Sequence, residues 1–109
     1  MRDWSLPKEF EEEQFKRYPV YSGEGIEIVK DDFGNIIIET SNYGVTLYFE
    51  YSDNVGTIVI HNRLTKKLIF LNAYDLPDFM KPLLNFSELK CEQDIDGLLN
   101  KFFNLKAFL

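Results

Sequence analysis

Apolar positions along this chain change their period twice. Near the start, Pro7 and the run Glu9 to Arg17 read as a helix. Proline fits a first helical turn, and the acidic residues crowd the N-terminal end, where the helix dipole favours them. Glu12–Lys16 and Glu13–Arg17 are i,i+4 pairs in the favourable order. Phe10 is the expected core contact, and Pro19 ends the element. From Gly25 to Leu71 the period becomes two. Ile26 and Ile28 flank Glu27, and Ile36 and Ile38 flank Ile37. Val45, Leu47, Phe49 and Tyr51 alternate with Thr46, Tyr48 and Glu50. Ile58 and Ile60 alternate with Thr57, Val59 and His61, and Leu68 and Phe70 close the series. Turn-forming stretches at 31–34, 41–44, 52–56 and 62–66 separate these runs. Five short strands with short links make an antiparallel meander.

Helical spacing then returns. Asp75 is the expected N-cap of a helix with Pro77 in its first turn and Phe79, Met80, Leu83 and Leu84 on one face; Pro82 ends it early. Asp94 is the expected cap of a last helix, in which Ile95, Leu98, Leu99, Phe102 and Phe103 fall at i, i+3, i+4, i+7 and i+8. The predicted fold is therefore α+β. One domain spans residues 1–109, with a single five-stranded antiparallel meander sheet, one N-terminal helix and two C-terminal helices packed on it.

Composition narrows the partner class. The chain has 109 residues, 45% hydrophobic and 28% charged, which suits a globular domain. Its net charge is −6, unevenly placed. Residues 1–60 hold twelve acidic and five basic side chains, and residues 61–109 hold six and seven. Nucleic acids and anionic membrane surfaces select the opposite sign. An acidic half steers toward a basic protein partner, although moderate negative charge also serves solubility alone. Six Tyr suit a recognition surface, and Tyr48, Tyr51 and Tyr74 neighbour Glu50, Asp53 and Asp75. No apolar run exceeds Leu68-Ile69-Phe70-Leu71, too short to span a bilayer as a helix. Met1-Arg2-Asp3-Trp4 lacks the apolar segment of a secretory signal, and a single Cys, Cys91, permits no internal disulfide. A cytoplasmic location is the expectation.

The turns set an expected register. Gly34 suits the left-handed position of a three-residue loop that pairs Asp31 with Asn35, which brings Glu27 opposite Glu39 and Ile28 opposite Ile38. Continuing outward, Ile38 is expected opposite Leu47, Thr46 beside Glu39, and His61 beside Thr46 across a tight Asp53-Asn54 turn. The outer face then carries the row Glu27, Glu39, Thr46, His61, next to the row Val29, Ile37, Tyr48, Val59. Like charges directly opposite are unfavourable, so Glu27 facing Glu39 is either tolerated by solvent or kept for a cation, from Lys30 or from a partner's Lys or Arg. The two readings are an ordinary polar sheet face and a binding face with carboxylates around an apolar patch.

Catalytic and metal chemistry find less in the sequence. Glu27, Glu39 and His61 offer general acid–base groups, but nothing in the sequence indicates the burial that would separate their pKa values. One His and one Cys do not make a structural zinc site. A His61–Cys91 nucleophilic pair lacks a recognisable elbow, and Gly23-Glu24-Gly25 lacks the downstream glycines of a phosphate loop. No cofactor and no metal are expected, and the chain is read as a non-enzyme.

An acidic domain of this size, rich in Tyr and Phe, with this element order and no catalytic motif, signal or disulfide, resembles the immunity proteins of bacterial polymorphic-toxin and contact-dependent growth inhibition systems. The resemblance lies in whole-chain character. It implies a cytosolic protein that neutralises one toxin domain, often a basic nuclease, by forming a stoichiometric complex. The residues expected to bind the toxin are Glu27, Asp31, Asp32, Glu39, Tyr48, Glu50, Asp53 and His61. The alternatives are a different binding module, such as a phage regulator or a small subunit of an assembly using the Phe102-Phe103 helix, and a small acid–base enzyme built on Glu27, Glu39 and His61.

Overall fold

A computed structural model describes residues 17–51 and 54–106. Six strands form one antiparallel sheet in chain order: β1 (Arg17–Gly23), β2 (Ile26–Asp31), β3 (Ile36–Glu39), β4 (Tyr43–Tyr51), β5 (Asn54–Asn62) and β6 (Lys67–Asn72). Three short 3₁₀ segments follow, Ala73–Asp75, Asp78–Leu84 and Phe86–Glu88, and then α1 (Glu92–Lys106). The α+β class and the meander agree with the sequence.

Four details do not. The sheet has a sixth strand, β1, and Arg17, expected to end a helix, begins it. The rest of the expected N-terminal helix lies outside the described residues. Pro19, expected only to end the helix, lies inside this strand; β1 is an edge strand, where proline's missing N–H is tolerated, and the register shifts just after Pro19. The helix expected after Asp75 is a chain of 3₁₀ turns; Pro82 cannot donate within a regular α-helix, and Pro77 caps rather than enters the segment. Asp94 is not the N-cap. It sits in the first turn of α1, and its Oδ2 reaches back to accept from the backbone N–H groups of Lys90 (2.7 Å) and Cys91 (3.2 Å). These two bonds hold the Asp94 carboxyl below its usual pKa. Finally, Leu68 and Phe70 are exposed, because the turn at residues 63–66 sends Ile69 and Leu71 to the core side instead.

The inner face explains the alternation in the sequence. Ile28, Ile38, Val45, Leu47, Ile58 and Ile60 are fully buried beneath Met80, Leu83, Ile95 and Leu99. The helix is fixed by polar contacts at the β3–β4 link as well as by this packing. Asp96 accepts from Thr40 Oγ1 (3.0 Å) and from Asn42 Nδ2 (2.9 Å). Tyr43, buried and stacked on Phe103, donates its hydroxyl to Asn100 Oδ1 at 2.6 Å. Burial, with the nearby Asp96 carboxylate second, raises the Tyr43 pKa. At the far edge, Tyr21 donates to the Lys90 carbonyl (3.0 Å), and Glu92 donates its N–H to the Glu24 carbonyl (3.0 Å). No described helix is long and apolar enough to cross a membrane.

Candidate functional site

Helix and 3₁₀ segments cover one face of the sheet, and the candidate site lies on the other. The β2–β3 turn follows its sequence reading. Gly34 has φ +87°, and Asp31 donates its N–H to the Asn35 carbonyl at 3.0 Å. Glu27 therefore faces Glu39, and Ile28 faces Ile38. Beyond β3 the expected register is displaced by two residues. Ile38 pairs with Val45 and Leu47 with Ile58. The cause is turn placement. Thr40 N–H donates to the Tyr43 carbonyl, so β4 begins at Tyr43 instead of after Gly44, and Asn54 already pairs with Tyr51. A one-residue displacement of each turn moves the register by two, which keeps Val45, Leu47, Ile58 and Ile60 on the core face but changes their neighbours.

The consequence is a row that runs Glu27, Glu39, Gly44, His61, Leu68. Thr46 and Val59 lie one row on, with Val29, Ile37 and Phe70, and Tyr48 lies a row beyond them. A glycine thus sits between Glu39 and His61. Its missing side chain, with the apolar surface of Ile37 and Val59, leaves a hollow of about 500 Å³ on the outer face. Phe33, Tyr48 and Leu68 stand at this hollow and are 71%, 43% and 58% exposed. Single exposed apolar residues are ordinary; several around one concavity mark a contact surface.

The expected carboxylates divide into structural and free. Asp31 is a turn residue: its Oδ1 accepts from Phe33 N–H (2.8 Å) and Asn35 N–H (2.9 Å), and its Oδ2 from Asn35 Nδ2 (3.2 Å). Asp32 accepts from the Tyr18 hydroxyl at 2.8 Å, which raises the Tyr18 pKa. Glu39 is held by two arginines that the sequence reading did not assign to it, Arg63 at 2.6 Å and Arg17 at 3.4 Å. They, and not Lys30, are the cations of the Glu27/Glu39 pair. Glu50 lies against Gly56 in the irregular end of the β4–β5 ladder. Glu27 is exposed, and its carboxylate has no ion-pair or hydrogen-bond partner among the described residues. Asp53 lies outside the described residues. His61 is half-buried and lines the hollow with Tyr48, Asp31 and Glu39, whereas Cys91 is at the Glu24 hairpin tip and does not line it.

A second, shallower depression of about 450 Å³ lies beyond the Glu39–Arg63 pair and includes Glu27, Thr40 and Ser41. The salt bridge is thus a ridge between two concavities. Arg63 Nε is buried without a hydrogen-bond partner. Sequence reasoning missed Arg17, because its position reads as the end of a helix, and Arg63, because a residue in the turn after β5 has no strand alternation to assign its facing. The available signal for Arg63 was its position two residues after His61, one residue past the end of β5. Among the described residues, no group of three or more His, Cys, Asp or Glu is placed to hold a metal ion.

Comparison with protein-family models, with curated proteins and with solved structures finds no match to this chain.

Proposed function

We propose that this domain is a protein-binding module that captures a basic partner on the outer face of its sheet. In its most specific form it is an immunity protein that neutralises a toxin domain by stoichiometric binding in the cytosol. One observation carries the reading: the face opposite the described helices holds a glycine-floored hollow ringed by exposed Phe33, Tyr48 and Leu68. An aromatic or long basic side chain fits such a concavity, with polar groups at the rim. The free carboxylate of Glu27, beside Glu39, and the net charge of −6 favour a cationic partner and fast capture. The acid–base alternative is weaker, because both Glu39 oxygens are engaged by guanidinium groups.

The test is co-expression with the product of the neighbouring gene, read as growth rescue and 1:1 co-purification at low and high salt. Two variants locate the interface. Gly44→Val fills the floor of the hollow; a Cβ at this position meets only His61 Cβ, at an ordinary 3.7 Å, so the fold should persist. Glu27→Lys reverses the free charge. Loss of the complex in Gly44→Val, and slower salt-sensitive association in Glu27→Lys, are expected. A complex unaffected by either variant would place the interface elsewhere, and failure of both rescue and co-purification would remove the immunity reading.

A further inference from the structure

The two edges of the sheet are built differently. β1 carries Pro19, which lacks a donor, and a register shift follows it. Its hairpin tip is tied to the start of α1 through Glu24. These are the devices by which an edge strand is kept from pairing with another chain. β6 has none of them. Its six residues pair with β5 without irregularity, it contains no proline, and its only charge is Lys67 at its first position. Among the described residues β5 is its sole strand neighbour. It also contains the longest apolar run in the sequence, Leu68-Ile69-Phe70-Leu71, and Phe70 is 69% exposed.

We infer that β6 is a homodimerisation edge, at which a second copy of this chain adds its own β6 antiparallel to make one continuous sheet. The strand is complementary to itself. Centred on Ile69, a two-fold pairing sets Leu68 of each chain opposite Phe70 of the other on the outer face. It sets Ile69 opposite Ile69 and Lys67 opposite Leu71 on the inner face. No like charges meet. The two Lys67 residues are four positions apart along the ladder, about 13 Å at strand rise and beyond the roughly 10 Å screening length of ordinary buffers. The Lys66-Lys67 end of each strand instead approaches the end of the other strand, where the chain runs on into the exposed residues Asp75 and Asp78. Because Leu68 lines the outer hollow, the dimer would carry two hollows on one side of a shared sheet.

The test is register-specific. In a Cys91→Ser background, Leu68→Cys and Phe70→Cys are made as separate proteins and oxidised alone and mixed. The pairing predicts a disulfide-linked dimer in the mixture and little in either protein alone, since opposite positions come within disulfide reach. Sedimentation of the unaltered protein should show concentration-dependent dimer, and Phe70→Lys should weaken it by about tenfold or more, as expected for loss of an interface anchor. A wild-type protein that remains monomeric at high concentration, or cross-linking equally efficient in each single variant, would overturn the inference. A monomer that instead gains an extended segment of another protein at this edge would overturn it in favour of a heterologous strand.

Discussion

The Glu39 carboxylate accepts from the Arg63 guanidinium at 2.6 Å, and this bond answers the repulsion implied by Glu27 directly opposite Glu39. Both partners keep substantial solvent exposure, so the pair is a modest contributor. Glu39→Gln should cost about 0.5–1 kcal/mol, decreasing with added salt. Glu39→Lys should cost more, because it places a third cation beside Arg17 and Arg63. Glu27→Lys should be neutral or slightly stabilising, because it replaces a like-charge pair with an opposite one. Urea midpoints for the three variants give the ordering. A Glu27→Lys protein as destabilised as Glu39→Lys would contradict it.

Asp96 joins α1 to the β3–β4 link through two hydrogen bonds. Asp96→Ala leaves Thr40 Oγ1, in a buried residue, and Asn42 Nδ2 without this acceptor. A loss of about 2 kcal/mol is expected for two charge-assisted bonds in a partly buried setting. Asp96→Asn retains one acceptor and should fall between. Chemical denaturation measures both.

Stability should decline at both ends of the pH scale, for different groups. The Asp94 pKa is lowered by backbone donors, so its contribution is present above the unfolded carboxyl value of about 4 and is lost as pH falls through the lower folded value. Tyr43 is raised by burial, so its contribution is present below the unfolded tyrosine value of about 10 and is lost as pH rises through the higher folded value. Asp94→Asn should flatten the acid limb of a denaturation-midpoint profile, and Tyr43→Phe the alkaline limb. An acid limb of unchanged slope in Asp94→Asn would assign that sensitivity to other carboxylates.

Lys66 occupies the left-handed region with φ +65° in the β5–β6 link. An L-residue there carries about 1 kcal/mol of steric cost that glycine avoids. Lys66→Gly should therefore raise thermal stability, by somewhat less than that amount because glycine loses more chain entropy on folding. A lower melting temperature would show that the lysine side chain contributes where no contact of it is seen among the described residues.

Period-two alternation from Ile26 to Ile60 was sufficient to identify the core face, because burial on one side of a sheet leaves a mark at every second residue. Gly34 was sufficient to fix the first register, because its turn demands a positive φ. The later turns were less legible. Thr40 to Asn42 and the segment before Asn54 contain several residues that accept a turn, and choosing the wrong one by a single position exchanged Thr46 for Gly44 in the central row. That exchange hid the hollow. Strand β1 was hidden by Pro19, which marks an edge as readily as it marks the end of a helix. The free status of Glu27, and the captured status of Glu39, depend on where Arg17 and Arg63 arrive in space, and no local pattern encodes that.

The tie between the first hairpin and the start of α1 bears on the order in which the molecule assembles. Every strand pairs with its neighbour in the chain, so the sheet can zip by successive hairpins of small loop-closure cost. Beside the packing of Ile95 and Leu99 on the sheet, polar contacts close the long loop: Tyr21 to Lys90, Glu24 to Glu92, Thr40 and Asn42 to Asp96, and Tyr43 to Asn100. These contacts can form only when the helix arrives on a sheet whose first three strands are already in register. Helix docking is thus the expected late step. Substitutions at Asp96 should accelerate unfolding while leaving the folding rate nearly unchanged, whereas substitutions in the β4–β5 hairpin should slow folding itself.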